Sequence, residues 1–175
     1  VAEVYERPYG LTYWKTGLAD GLEPLVQVAT HQTERVVGFT LPGFAPESGE
    51  ARPEAPQELV LMVNRLVDER YIARGWANAA RLEWFGEGDP RAYEWHFDSQ
   101  FAAPDTYILH LTLTSAGWLD VHKTQGLEEN FLCQAGSVIR FPANLEHRHS
   151  WTLDPTERRH LLVVGHDPAL VRESG

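Results

Sequence analysis

The chain has 175 residues, with 15 Lys+Arg against 25 Asp+Glu and a formal charge of −10. That balance argues against nucleic acid or an anionic membrane surface as the main partner, because phosphate binding needs a basic footprint. Hydrophobic residues at 43% and aromatics at 11% supply one sizeable core and rule out wholesale disorder, while a single cysteine, Cys133, leaves no intrachain disulfide and no cysteine-rich zinc module. The opening residues show no basic region followed by an apolar stretch, and no apolar run approaches the length of a membrane span. A cytoplasmic location is the expectation.

Short β-prone runs at 25–29 and 35–41 come first. Residues 42–56, PGFAPESGEARPEAP, read as a long exposed loop, a candidate lid or linker. A helix then begins near Pro56, because Leu59, Met62, Val63, Leu66 and Val67 recur at spacings of three and four; that apolar stripe reads as a core face. From residue 80 the pattern turns to strands. Runs 81–85 and 92–97 flank Gly-Glu-Gly-Asp-Pro, which predicts a hairpin whose turn, 86–91, is a second candidate lid. Residues 106–114, TYILHLTLT, alternate in the β manner. Further strands are expected at 118–122, 129–133, 137–141 and 160–164, punctuated by Gly126, Gly136, Pro142 and Pro155. No internal repeat is visible. One helix followed by many short strands predicts a mainly β sandwich or jelly-roll barrel with a helix on its outside.

Two motifs carry chemistry. In His96-Phe97-Asp98 an extended backbone points residues i and i+2 to one face, so an imidazole and a carboxylate can bind one divalent ion. The run Gly136-Ser-Val-Ile-Arg-Phe-Pro-Ala-Asn-Leu-Glu-His147 is an apolar strand, a Phe-Pro turn and a histidine 51 positions after His96. Arg158-Arg159 then opens another apolar strand. Two His and one Asp arranged facially leave open positions on the ion, the arrangement of non-haem Fe(II) oxygenases. An arginine on a neighbouring strand can grip the far carboxylate of an organic co-substrate.

On H-x-D at His96/Asp98, G-x-x-x-x-F-P-x-N-x-x-H ending at His147, and the arginine that follows, residues 81–164 resemble the Fe(II)- and 2-oxoglutarate-dependent dioxygenases, in the prolyl-hydroxylase-like branch. The resemblance implies a double-stranded β-helix (a jelly-roll, cupin-like barrel). It implies one domain over 1–175, with N-terminal strands and a helix over about 1–80 and the catalytic core over about 81–166. Fe(II) is then held by His96, Asp98 and His147, and 2-oxoglutarate by Arg158, with Tyr107 and His160 lining its site. O2 is the oxidant and a C–H bond is hydroxylated, giving succinate and CO2. Asp98 favours hydroxylation over halogenation, since related halogenases lack the carboxylate ligand; desaturation, ring closure and epimerisation use the same triad and stay open.

Two positions stay open on spacing: His149 for His147, and Arg159 for Arg158. His147 lies eleven and twelve positions before the two arginines, His149 nine and ten. The remaining histidines, 31, 110, 122, 149, 160 and 166, read as surface or satisfied polar groups, with His149 and His160 also able to line the pocket. Trp84, Trp95, Trp118 and Trp151 read as core or rim, one or two of them as a substrate wall. Cys133 reads as a small buried residue and Glu128-Glu129 as a solvated pair. A small metabolite, amino acid or natural-product intermediate is the expected substrate, with a peptide or protein side chain second. A cupin-like metalloenzyme that uses no keto acid and a non-catalytic jelly-roll binding module are the competing readings. A homodimer is compatible with the sequence, and nothing in it demands one.

Overall fold

The period-two patterning of the second half becomes two facing sheets in the computed structural model, which describes residues 3–86, 94–101, 105–123, 126–152 (side chains to 149) and 157–173. The larger sheet holds seven antiparallel strands in the order β1 (Val4–Glu6), β2 (Thr12–Trp14), β9 (Val138–Pro142), β6 (Tyr107–Thr114), β11 (Arg159–Gly165), β5 (Ala79–Phe85) and β3 (Val36–Thr40). The smaller sheet orders β10 (His147–Thr152), β7 (Gly117–His122) and β8 (Glu128–Cys133). A ribbon pairs β4 (Phe44–Pro46) with β12 (Leu170–Arg172). This is the jelly-roll architecture expected from the sequence.

Parity along the central strands decides what each face meets. On β6, Leu109, Leu111 and Leu113 join the core beneath the helices, whereas Ile108 faces the smaller sheet, with Leu119, Val121, Phe131 and Phe141. On β11, Leu162 and Val164 face the helices, and Leu161 and Val163 face the smaller sheet. Side chains at positions 108, 110 and 112 of β6 and at odd positions of β11 therefore enter the space between the sheets; beyond Thr112 the register shifts and Thr114 pairs with the outward-facing His160.

Two helices cover the outer face of the large sheet. α2 (Gln57–Asp68) follows Pro56, which is extended, and buries Leu59, Met62, Val63 and Leu66, as the spacing of its apolar residues predicts. Leu66 is fully buried, so Leu66→Ala is expected to cost about 2–5 kcal/mol; denaturant unfolding checks this. α1 (Glu23–His31) corrects the β reading of 25–29. Pro24 sits in its first turn, and Leu25 and Ala29, four apart, are its buried residues. The run Leu-Val-Gln-Val-Ala satisfies period two and a four-residue spacing equally, and the proline is the signal that decides for helix.

Among the described residues the predicted 81–85/92–97 hairpin is not seen. Both edges of β5 are taken, by β3 and β11, and residues 94–97 carry only a single bridge, His96 to His147. Residues 87–93, most of the proposed turn, lie outside the described residues. The 42–56 segment is tied down more than a loop reading implies: β4 pairs with β12, Glu54 bridges Thr40, and Arg52 pairs with Asp167 at 2.5 Å.

Candidate metal centre

An apolar core between two sheets tolerates polar side chains only where they are paired or bind something. Five enter it together here. His96 and Asp98 come from the segment ahead of the 3-10 turn Ser99–Phe101, His110 from β6, and His147 and His149 from β10. All but His96 are buried. β10 supplies two because residues two apart in a strand share a face. Backbone hydrogen bonds in both directions, His96 N to His147 O at 2.9 Å and His147 N to His96 O at 3.0 Å, clip the H-x-D segment against it. His110 is a residue the sequence reading left among the satisfied histidines. Its signal was parity: it faces opposite to Leu109 and Leu111 on the same strand.

Ring tautomers follow from the partners. His96 Nδ1 lies 2.9 Å from the Glu94 carbonyl, and His147 Nδ1 lies 3.0 Å from the Leu145 carbonyl. A carbonyl oxygen only accepts, so both Nδ1 atoms carry the proton and both Nε2 atoms present a lone pair. Backbone fixation of one ring nitrogen is the usual support for a metal on the other. His147 Nε2 stands 3.0 Å from Asp98 Oδ2, and neither atom has a hydrogen-bond partner. Two buried acceptors at that separation repel unless a proton or a metal ion lies between them. Cis ligands on ~2.1 Å bonds stand about 3 Å apart, so the spacing fits a shared ion. His96 Nε2 is 3.9 Å from Asp98 Oδ1, and His110 Nε2, also orphaned, is 3.8 Å from Oδ2. Ligand atoms lie within 4.8 Å of one another in two groups, His96/His147/His149 and Asp98/His110/His147. His147 belongs to both.

Burial would raise the Asp98 carboxyl, but His110, His147 and Arg81 facing it hold it well below the usual carboxylate range. Burial lowers His110 to about 4 despite the carboxylate beside it, and burial, with His110 and Arg159 beside it, lowers His149 well below an ordinary imidazole. All three groups bind protons more readily once unfolded, so stability rises with pH across their range. The thermal midpoint of the metal-free protein is therefore expected to fall as pH drops from the ordinary histidine range near 6.5 towards 4. A midpoint that is flat over that interval contradicts the burial of these imidazoles as neutral groups.

The other end of this space holds Arg159. Its odd position on β11 points it inward, where it is 1% exposed; Nη2 donates to Thr112 Oγ1 at 3.1 Å and Nη1 contacts His149 Nδ1 at 3.4 Å. Gly117 makes room: a Cβ there would stand 2.8 Å from Arg159 Cδ. A guanidinium only donates, so His149 Nδ1 accepts and its proton sits on Nε2. His149 thus has the opposite tautomer to His96 and His147, and in that state its Nε2 offers no lone pair. Among the described residues no carboxylate pairs with Arg159, and Nε has no partner.

The residues expected to hold the keto acid separate from this site. Arg158 is exposed and lies over the Trp84 ring at 3.9 Å. His160 faces the same way as Leu162, its Nδ1 2.7 Å from Thr114 Oγ1. Tyr107 is on the helix-side face of β6, stacked on Trp76 at 4.0 Å. The structure thus brings His96, Asp98 and His147 together, adds His110, His149, Thr112 and Arg159, and leaves Arg158, His160 and Tyr107 on the far face of the sheet. Strand parity excludes the last three from the interior, and it places Arg159 inside in preference to Arg158. Trp95 stacks on His122 at 3.4 Å beneath Arg148, Cys133 is buried, and Glu129 accepts from Arg7 and Tyr9. The side chain of Trp151 lies outside the described residues.

No protein-family model and no curated protein matches this sequence. Among solved structures, a Pseudomonas putida prolyl-4-hydroxylase matches with TM-score 0.60 and 14% identity over 91% of this chain and 94% of that one. A 2OG-Fe(II) oxygenase family oxidoreductase from Burkholderia pseudomallei matches with TM-score 0.60 and 14% identity, over 97% and 88%. The chain shares their fold. A Bacillus subtilis oxalate decarboxylase overlaps 54% of this chain and 23% of its own at TM-score 0.41 and 23% identity. Among the described residues no helix is long and apolar enough to cross a membrane.

Proposed function

We propose that the chain is an Fe(II)- and 2-oxoglutarate-dependent oxygenase that hydroxylates a C–H bond of a small metabolite, amino acid or natural-product intermediate. One observation carries the reading: two groups of potential metal ligands that share His147 and a buried guanidinium with no carboxylate partner among the described residues lie together in the space between the sheets. A lone buried charge is costly, and a dianionic keto acid spanning the two ends neutralises it. The fold shared with the two oxygenases above is consistent with this. A cytoplasmic setting, where reduced iron and 2-oxoglutarate are available, fits the single cysteine.

In this reading His96, Asp98 and His147 hold the ion, and Glu94 and Leu145 orient the two imidazoles through their carbonyls. When bound, iron with 2-oxoglutarate and O2 supplies oxidative decarboxylation to succinate and CO2 and the oxidising power for hydroxylation. The remaining tasks belong to the chain. Arg159 and Thr112 bind the distal carboxylate and fix the co-substrate's direction. Phe131, Phe141 and Leu161 line the same core and keep water from it. The test is succinate release from Fe(II)-loaded protein across a panel of small metabolites, beside direct binding of 2-oxoglutarate. Protein that neither binds nor consumes 2-oxoglutarate sinks the reading.

The His96/His147/His149 grouping favours a second reading, a three-histidine cupin-like centre that uses no keto acid. It requires His149 to turn a lone pair to the metal, against the tautomer that Arg159 imposes. Metal-dependent O2 uptake on a substrate without 2-oxoglutarate would decide for it.

A further inference from the structure

We propose that Arg81 is a positioning residue of the metal centre: by holding Oδ1 of Asp98 it leaves Oδ2 as the one carboxylate oxygen presented to the ion. The inference rests on the metal reading above and concerns a residue outside the ligand set. Arg81 lies on β5, facing the interior. Its Nη2 donates to Asp98 Oδ1 at 2.7 Å, its Nε lies 2.8 Å from Glu83 Oε1, and its guanidinium sits 5.1 Å over the Phe101 ring. Gln100 adds a contact at 3.4 Å to Nη1 and itself donates to Asp167 Oδ2 at 3.1 Å. Asp167 in turn pairs with Arg52. Asp98 and Gln100 therefore engage the two terminal nitrogens before any metal arrives, while Nε stands beside Glu83 without a hydrogen bond.

Charge and geometry separate here. Glu83, two residues along the same strand face, offsets part of the Arg81 charge, while the guanidinium also keeps Asp98 ionised for the ion. What Arg81 adds is direction. A carboxylate free at both oxygens can rotate or chelate through both; with Oδ1 tied to a guanidinium, only Oδ2 faces His147 Nε2, 3.0 Å away. Ion-pairing of Arg81 with Glu83 alone would have satisfied the charge, and the reach across to Asp98 is the part that a structural role does not need.

The test compares cobalt(II), an oxygen-stable stand-in for iron(II), in wild type, E83Q, R81K, R81M/E83Q and R81Q/E83Q. The double variants remove the guanidinium and the Glu83 charge together, so the net charge beside Asp98 is unchanged while its Oδ1 loses the Arg81 donor. Their cobalt affinity is expected to fall about 10–100-fold, the usual cost of losing a group that orients a ligand. The visible absorption of the bound cobalt should also change, as Asp98 gains use of both oxygens. E83Q keeps the guanidinium on Asp98 and should bind near the wild-type level, and R81K should recover part of the loss. Thermal midpoints of the metal-free proteins report any purely structural role separately. Wild-type cobalt affinity and spectrum in either folded double variant overturn the proposal. Wild-type protein that takes up no cobalt overturns the metal reading itself, a result distinct from any difference between variants.

Discussion

His147→Ala is expected to abolish stable metal binding, weakening it more than about 100-fold, since even the loss of an outer partner costs 10–100-fold. His149→Ala is expected to leave the metal in place. The two residues are two apart on one strand, both buried and both facing the interior, so neither burial nor position separates them. Their Nδ1 partners do. A backbone carbonyl makes His147 an Nε2 acceptor aimed at Asp98, whereas Arg159 makes His149 an Nε2 donor. A donor nitrogen cannot ligate without losing its proton, and among the described residues His149 has no carboxylate partner to take that proton. Competition between each variant and a chelator for cobalt(II) or iron(II) measures the difference. Loss of metal in His149→Ala with retention in His147→Ala would exchange their roles and favour the three-histidine reading. Asp98→Ala and His96→Ala should resemble His147→Ala, with Asp98→Ala also removing one of the two carboxylates beside Arg81.

How much of this was legible in the sequence depends on the kind of signal. The β architecture and α2 were, because alternation and three-four spacing are local and unambiguous. The H-x-D pair and His147 were legible as a motif, although the bridge that brings them together joins residues 51 apart and has no local signature. α1 was not, because five residues fit two periods and a single proline decided between them. The hairpin after β5 is not seen among the described residues for a tertiary reason: β3 and β11 claim both edges of that strand. The interior arginine was within reach. Leu162 and Val164 belong to the helix-side core and Leu161 and Val163 to the other, so parity counted back along the apolar strand puts Arg159 inside and Arg158 out. Spacing from a histidine by family habit carries no such phase information. His110 and Thr112 follow from the same count on TYILHLTLT, where three leucines mark the opposite face. Arg81 had no sequence signal, since its role depends on a carboxylate 17 residues on, brought to it by tertiary packing.

Arg159→Met is expected to separate stability from co-substrate binding with opposite signs. In the free protein the guanidinium is buried, touches one hydroxyl and one imidazole, and among the described residues has no carboxylate; burial accordingly lowers its pKa. Replacing an uncompensated buried ion by a side chain of similar length and no charge is neutral or stabilising. For a chain of this size each 1 kcal/mol gained raises the midpoint by about 2–4 °C. The same substitution deprives 2-oxoglutarate of its buried charge partner, a loss of about 2–5 kcal/mol, or roughly 30-fold to several thousand-fold in Kd. Cobalt affinity should hardly move, because Arg159 touches none of His96, Asp98 and His147. Arg158→Ala is the matched control: its guanidinium stands on Trp84 outside the barrel, so keto-acid binding should be retained. Calorimetric titration with 2-oxoglutarate and thermal melts of the metal-free proteins read both effects. A midpoint that drops in Arg159→Met would mean the charge is already compensated within the fold. Unchanged 2-oxoglutarate affinity would mean that no carboxylate ends there, and the keto-acid reading would fail while the metal centre stood.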